Sequence, residues 1–429
     1  MTRILLTAVI AAVLTLSAAA QDPVEPKFFI ERVEVRNAKR VSPDVVIYES
    51  RLREGNEYTE ADLSDAAARL NRLPFLLSAE FSLDKGVERG QYVLVISIKE
   101  TRPFFFVIDA RPILSSNNNI VDLDYTDRLG GADNNAALGF RWFVGRRGMT
   151  HLGLITRDDN REYTRDYSAL VAGYTQYDIF GTRAFATINL KRPIGGVSTA
   201  VVSPQVVAGI PVSPNQTVTV TYDETRFGSP DEVDAFGTMV EERDEERLVS
   251  ARWSYNTTND PFVPTTGTLF SVTPVVAWRD IADYNYYGVA GGPNVPPVVR
   301  VDAYSLHMNS RGVDLSAAHW YELNERDSVV GGVEGGWADV IVRSNNLRHL
   351  ASYDSTYWVV HGGYSHSLWD RNRQKHGDSR LEATLRYTNR NGGERRQFFS
   401  YQQDVIQASA SWVRRSSWGT FRLGAGYAW

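Results

Sequence analysis

From Pro103 to the last residue the sequence carries no helix signal, and alternation takes its place. Val218, Val220 and Tyr222 share one face of a stretch whose other face is Thr217, Thr219 and Thr221. Val249, Ala251, Trp253 and Tyr255 alternate with Ser250, Arg252 and Ser254, and Leu381, Ala383, Leu385 and Tyr387 with Glu382, Thr384 and Arg386. A period of two is the strand signal, because successive side chains leave a strand on opposite faces. The pattern persists to the end, where Phe421, Leu423, Ala425, Tyr427 and Trp429 form one apolar face against Arg422, Gly424 and Gly426. Termini of soluble chains tend to fray, so an aromatic strand there needs a partner to hold it.

Strand length separates a soluble sandwich from a transmembrane barrel. A sandwich strand needs about 5–6 residues. A membrane-crossing strand needs about 9–11, with aromatics at both interface levels. The alternating runs 165–176, 267–279, 378–390 and 418–429 reach that length and carry Tyr and Trp at their ends. Residues 228–247 and 280–299 read as long polar or Gly-rich loops, with the acidic run 241–246 a solvated part of the first. The pattern predicts a mainly β fold: a C-terminal transmembrane antiparallel β-barrel over 102–429 with about 16 strands, 14 being possible.

Composition excludes other classes. The chain of 429 residues has no Cys, which removes disulfide frameworks and thiolate chemistry. Its net charge of −5 argues against a nucleic-acid partner. No 18-residue apolar run follows the first twenty residues, so no transmembrane helix is expected. Those twenty have the layout of a secretory signal peptide: Arg3, an apolar stretch from Ile4 to Leu16, then Ala18-Ala19-Ala20. No H-E-x-x-H, G-x-S-x-G or Gly-rich phosphate loop is present, and His361 and His366 fall on opposite faces of a strand. Neither an enzyme nor a metal or cofactor is expected.

Residues 21–101 read differently. Phe28 to Val35 suits a strand. Ser42-Pro43 opens a helix expected to end near Gly55, with Val45, Val46, Tyr48 and Leu52 on its apolar side. Thr59 and Asp62 form a capping box for a second helix, whose buried face is Leu63, Ala66, Ala67 and Leu70. Pro74 stops it, and strands over 75–83 and 92–99 follow, giving the order β-α-α-β-β. The run from Ile30 to Asn37, with Gly55, Tyr58, Leu63, Leu70, Phe75, Ala79-Glu80-Phe81 and Ile98-Lys99-Glu100, resembles a POTRA (polypeptide-transport-associated) domain.

One such domain before a barrel resembles the BamA/TamA-like outer-membrane assembly superfamily, the bacterial surface antigen family. Asp260-Pro261-Phe262-Val263-Pro264-Thr265-Thr266-Gly267 is similar to that family's Asp-x-Pro-x-x-Pro-Thr-x-Gly turn. Gly362-Gly363, Leu368, Arg371 and Arg373 are similar to a long loop that folds into the barrel, with Glu382 as an acidic partner in the lumen. The sequence departs from the family there, because Trp369-Asp370-Arg371 stands in place of Arg-Gly-aromatic. The resemblance implies an exported barrel in the bacterial outer membrane, in contact with its lipid, with the small domain in the periplasm. It also implies unfolded or extended polypeptides as clients, and a seam between the strand near Phe104–Ile113 and Phe421–Trp429, weakened by Gly424 and Gly426. Phe421, Leu423, Tyr427 and Trp429 then double as the assembly signal at the end of the chain. The alternative is an outer-membrane pore or structural barrel without insertase activity. The sequence does not define oligomeric state.

Overall fold

The computed structural model describes residues 26–110, 113–115, 136–157, 167–194, 202–228, 232–233, 239–260, 263–289, 298–344, 351–369, 378–394 and 400–428. Residues 1–20, read above as a signal peptide, and Pro261, Arg371, Arg373 and Trp429 lie outside them.

The N-terminal unit runs β1 (Phe28–Arg36), α1 (Pro43–Ser50), β2 (Asn56–Tyr58), α2 (Glu60–Asn71), β3 (Leu76–Lys85) and β4 (Gln91–Glu100). The sheet order is β2-β1-β4-β3, with β1 and β4 parallel. At three residues, β2 is too short to show a period. The capping box forms: Asp62 N–H donates to Thr59 Oγ1 at 3.1 Å, and Thr59 N–H to Asp62 Oδ2 at 2.9 Å. The first helix stops earlier than its apolar pattern suggests. Arg51 takes the left-handed conformation, φ 59°, and its side chain leaves the helix for the barrel. The apolar core is concentrated here. Ile30, Leu70, Leu94 and Ile96 are fully buried, each contributing about 1.5–3 kcal/mol over exposure.

The second unit is a closed barrel. Its strands are β5 (Phe104–Ala110), β6 (Ile113–Ser115), β7 (Ala136–Val144), β8 (Gly148–Arg157), β9 (Tyr167–Ile179), β10 (Ala184–Ile194) and β11 (Ser203–Ser213). Then come β12 (Gln216–Gly228), β13 (Glu232–Val233), β14 (Met239–Asn256), β15 (Gly267–Val289), β16 (Val298–Glu322) and β17 (Asp327–Ser344). The last four are β18 (Ala351–Ser367), β19 (Ser379–Glu394), β20 (Ser400–Arg415) and β21 (Gly419–Ala428). The short β5 and β6 lie end to end against β21 as one stave, and β13 pairs only with β14. Fifteen staves therefore close the barrel among the described residues, neither 16 nor 14. An even count assumes antiparallel closure, whereas β21 runs parallel to β5 and β6 and restores the ring with an odd number.

The stretches expected to be long loops are largely strand. Residues 239–247 belong to β14 and 280–289 to β15, paired from Met239–Tyr286 to Arg247–Trp278. The acidic run 241–246 is therefore part of the wall rather than a solvated loop. Asp244, on the lumen side, is buried against Arg279 at 3.0 and 2.8 Å. Alternation within the longer hairpin buries Asp244 and Glu246, which a reading of local charge density does not reveal. Among the described residues β7 to β12 have 9–13 residues each, whereas β15 has 23 and β16 has 25.

Register fixes the two surfaces. Phe140 pairs with Leu152, Trp337 lies opposite Val313, and Leu423 opposite Trp412, all facing out. Phe140, Leu152, Trp337 and Leu423 are 40–52 % exposed. Asn189, Lys191, Asp223, Glu334, Arg386, Glu382 and Arg422 alternate with such residues and face in. The polarity is the reverse of a water-soluble core.

At the closure the backbone of β21 lies hard against β5. Gly419 has φ 154°, and a Cβ there would come within 1.9 Å of the Phe106 carbonyl oxygen. Gly419→Val is expected to lose about 1–3 kcal/mol of barrel stability, because that approach is closed to any side chain. Urea unfolding followed by circular dichroism checks it, with an unchanged midpoint as the contrary result.

Candidate functional site

The candidate site is the face where the small unit meets the barrel, together with the adjoining closure. Both helices lie against the short turns at one end of the barrel. Their contacts are mostly arginines donating to turn carbonyls, which a strand end leaves without a ladder partner. Arg51 donates to the carbonyls of Ser213 and Pro214, and to Thr217 Oγ1 at 3.0 Å. Arg69 reaches Asn215 Oδ1 at 3.3 Å and the Ser50 carbonyl at 2.8 Å. Arg72 reaches the Thr258 carbonyl at 2.6 Å. The Tyr48 hydroxyl donates to the Arg183 carbonyl at 2.5 Å. Aromatic edges complete the contact, Phe75 on Phe143 at 5.2 Å and Tyr48 on Tyr177 at 5.7 Å between ring centroids. The apolar core of the small unit thus continues into the barrel mouth through Phe143, Met149, Tyr177 and Phe185.

One residue joins three parts. Arg415, at the end of β20, pairs with the Asp260 carboxylate and donates to the carbonyls of Asn71 at 3.2 Å and Leu76 at 2.9 Å. Asp260 also accepts from the Val263 amide at 2.9 Å, which folds the turn between β14 and β15. In that turn Val263 is buried and Pro264 half-buried, and Asn259 Oδ1 accepts from the amides of Thr265 and Thr266 at 3.0 and 3.3 Å. Gly267 then enters β15 with φ 104°, where a Cβ would meet the Thr257 carbonyl oxygen at 2.4 Å. Of the turn residues singled out in the sequence, Asp260 is therefore tied through Arg415 to the small unit.

The Gly-Gly segment lies elsewhere than expected. Gly362 and Gly363 are in β18, paired with Gly331 and Val330, and exposed Leu368 follows at the small-unit end. The segment 362–367 is wall, because its alternation continues uninterrupted from Trp358 through Tyr364. Glu382 does face the lumen, but it accepts from Arg422 Nε at 3.2 Å and from Ser411 Oγ at 3.5 Å. The lumen holds further pairs: Lys191, 1 % exposed, with Asp223, and Glu334 with Arg386 at 3.3 Å. Arg380, 3 % exposed, donates to Ser365 Oγ at 2.6 Å and pairs with Asp378 at 3.0 Å.

At the closure, Gly419 to Leu423 pair with Phe106 to Ala110, and Gly426 to Ala428 with Ile113 to Ser115. Phe421, Leu423 and Tyr427 face outward, and a Cβ on Gly424 would meet the Ala410 carbonyl oxygen at 2.3 Å. Before the ladder, Arg102 N–H donates to the Ser417 carbonyl at 2.7 Å, and the Arg102 guanidinium stacks 3.9 Å from the Trp418 ring centroid. On its other side the described residues of β5 pair with β7 from Phe104 to Ile108.

Sequence reasoning missed the docking arginines, Arg51, Arg69, Arg72 and Arg415. Arg69 carried a signal, since it falls on the buried side of α2 beside Leu70.

Among solved structures, the chain is similar to CdiB from Escherichia coli (TM-score 0.38, 12% identity, 97% of this chain and 89% of that one). It is similar to BamA from Haemophilus ducreyi lacking POTRA domains 1–3 (TM-score 0.36, 11% identity, 94% and 85%). It is also similar to OmpT, an outer membrane protein of Vibrio cholerae, in its trimer form (TM-score 0.32, 12% identity, 69% and 91%). No family model and no curated protein matches the chain.

Arg415→Met removes the guanidinium and leaves Asp260 and two carbonyls without it, an expected loss of about 3–5 kcal/mol. Hydrogen exchange should show the C-terminal turn of α2 and residues 257–266 losing protection first; uniform loss across the chain would contradict the assignment.

Glu49 lies close to Arg51, Arg69 and Arg72. Burial pushes its carboxyl up to about 7 against their pull. Burial also holds Arg69 and Arg72 down to about 10, where both stay charged. An acid with a raised folded-state pKa binds its proton more tightly folded than unfolded. Stability is therefore fully present below about 4.3, falls as pH rises towards 7, and is level above. Glu49→Gln should flatten that slope, so that urea midpoints at pH 5 and pH 8 converge; an unchanged difference would exclude Glu49 as its source.

Proposed function

We propose that the protein is an exported outer-membrane barrel that assembles or translocates polypeptides, with the small unit receiving them in the periplasm. The outward apolar belt supports the membrane setting. In water it would be a large exposed patch prone to association, whereas in hydrocarbon a closed ring satisfies every backbone group within the wall. The polar, charge-paired lumen fits the same setting.

The observation that carries the polypeptide reading is the first stave. It joins β21 in a parallel ladder, which is slightly weaker per residue than the antiparallel pairing between the other described staves. A wall that parts anywhere parts most easily there, and parting would expose strand edges ready to pair with another chain. The small unit offers an edge as well, since among the described residues β3 pairs on one side, with β4. A standing pore is the second reading. The helices held against the barrel turns favour it less, since they lie across the barrel mouth at the small-unit end.

The test reconstitutes the chain, without residues 1–20, into liposomes and follows folding of an unfolded model barrel. Acceleration over empty liposomes is expected, with most of it lost in Ser82→Pro, at an exposed position of β3. Circular dichroism confirms that the variant is folded. Steady ion conductance without acceleration for several clients would favour the pore.

A further inference from the structure

Four of the five described non-glycine residues with left-handed backbone gather at one place. Asp178 (φ 52°), Phe180 (φ 53°) and Arg183 (φ 63°) form the β9–β10 turn, and Arg51 (φ 59°) caps α1 beside it. Such conformations are costly for residues with a Cβ and persist where surroundings impose them. Between that turn, the β7–β8 turn and α1 lies a groove of about 300 Å³. Five arginines line it, Arg51, Arg53, Arg146, Arg147 and Arg183, against the carboxylates of Asp44 and Asp178. Arg146 pairs with Asp44 at 2.8 Å and Arg147 with Asp178 at 2.7 Å, while Arg51 is occupied by the turn carbonyls and Thr217. Arg53 and Arg183 have no carboxylate partner among the described residues. The groove therefore carries excess positive charge without an internal counter-ion.

Its depth along the wall identifies the counter-ion. Trp142 and Val144, 47 % and 48 % exposed, are the last outward residues of β7 before Gly145-Arg146-Arg147. Tyr174, 41 % exposed, precedes the second turn on the adjoining outward face, and Phe180 at its tip is 97 % exposed. Aromatics of this kind sit at the level where hydrocarbon gives way to headgroups. Arginines placed just beyond them lie at the depth of lipid phosphate.

We propose that this groove binds the phosphate-bearing headgroup of an anionic phospholipid from the leaflet on the small-unit side. Arg53 and Arg183 supply the uncompensated charge, and the turn held by Asp178 presents Arg183 and exposed Phe180 together. The site would tie the docked position of α1 to the membrane surface. It rests on the membrane reading above, and the experiment separates the two.

The full chain without residues 1–20 is folded into mixed micelles of equal phosphatidylglycerol and phosphatidylcholine, and retained lipid is measured by native mass spectrometry. The expected result is enrichment of phosphatidylglycerol that falls at least roughly tenfold in the double variant Arg53→Glu, Arg183→Glu. A partial fall is expected in Arg53→Gln, Arg183→Gln, which guards against misfolding by charge reversal. Inorganic phosphate at millimolar concentration should leave the lipid in place. Equal retention of both lipids, enrichment indifferent to both variants, or displacement by inorganic phosphate would overturn the proposal. Failure of the parent chain to form a heat-resistant barrel in phosphatidylcholine vesicles would overturn the membrane reading, and this inference with it.

Discussion

The governing constraint is that backbone amides and carbonyls in a wall one strand thick find partners on the neighbouring strands. A flat sheet leaves two edges unsatisfied, and bending the sheet into a ring removes both. Here the ring closes through β21 and the β5–β6 stave, which run in the same direction. Parallel pairing permits an odd number of staves, and it is slightly weaker per residue than antiparallel pairing. The junction on which closure depends is therefore also where the wall is held least, and the glycine approach at Gly419 is what allows the two backbones to meet there.

The second organising feature is how the small unit is attached. Its apolar core reaches the barrel mouth through Phe143, Met149, Tyr177 and Phe185. Around that contact its helices place arginines on turn carbonyls, and Arg415 answers from the barrel side by donating to carbonyls at the end of α2 and the start of β3. Such contacts are directional, and they fix the orientation of α1 and α2 against the turns. Glu49, held near neutrality among three guanidiniums, adds a proton-linked bias to the same interface.

Much of the fold was legible because its determinants are local. Alternation from Val218 to Tyr222 and from Leu381 to Tyr387 reports which side of the wall each residue takes. The Thr59–Asp62 box marks a helix start by geometry that spans three residues. Barrel closure was not legible, since stave parity depends on the direction in which the first and last strands meet. The acidic run at 241–246 misled for a related reason: a hairpin can carry strand far past the apolar belt, where charge no longer distinguishes loop from wall. The Gly362–Ser367 segment shows the limit of motif likeness, because unbroken register with β17 and β19 placed it in the barrel wall. The lumen partner of Glu382 came from β21, some forty residues on, a pairing across β20 that the register of two successive hairpins creates.

The length of one hairpin has a consequence for access. At about 3.3 Å per residue, β15 and β16 extend for roughly 75–85 Å, and even when tilted they rise about twice the height of an apolar band of ~25 Å. They stay paired to their far ends, Val289 opposite Val298, so their upper half is a braced two-stranded palisade. A bulky particle arriving over that side meets the palisade before it reaches the lumen, with neither a lid nor a change of conformation required.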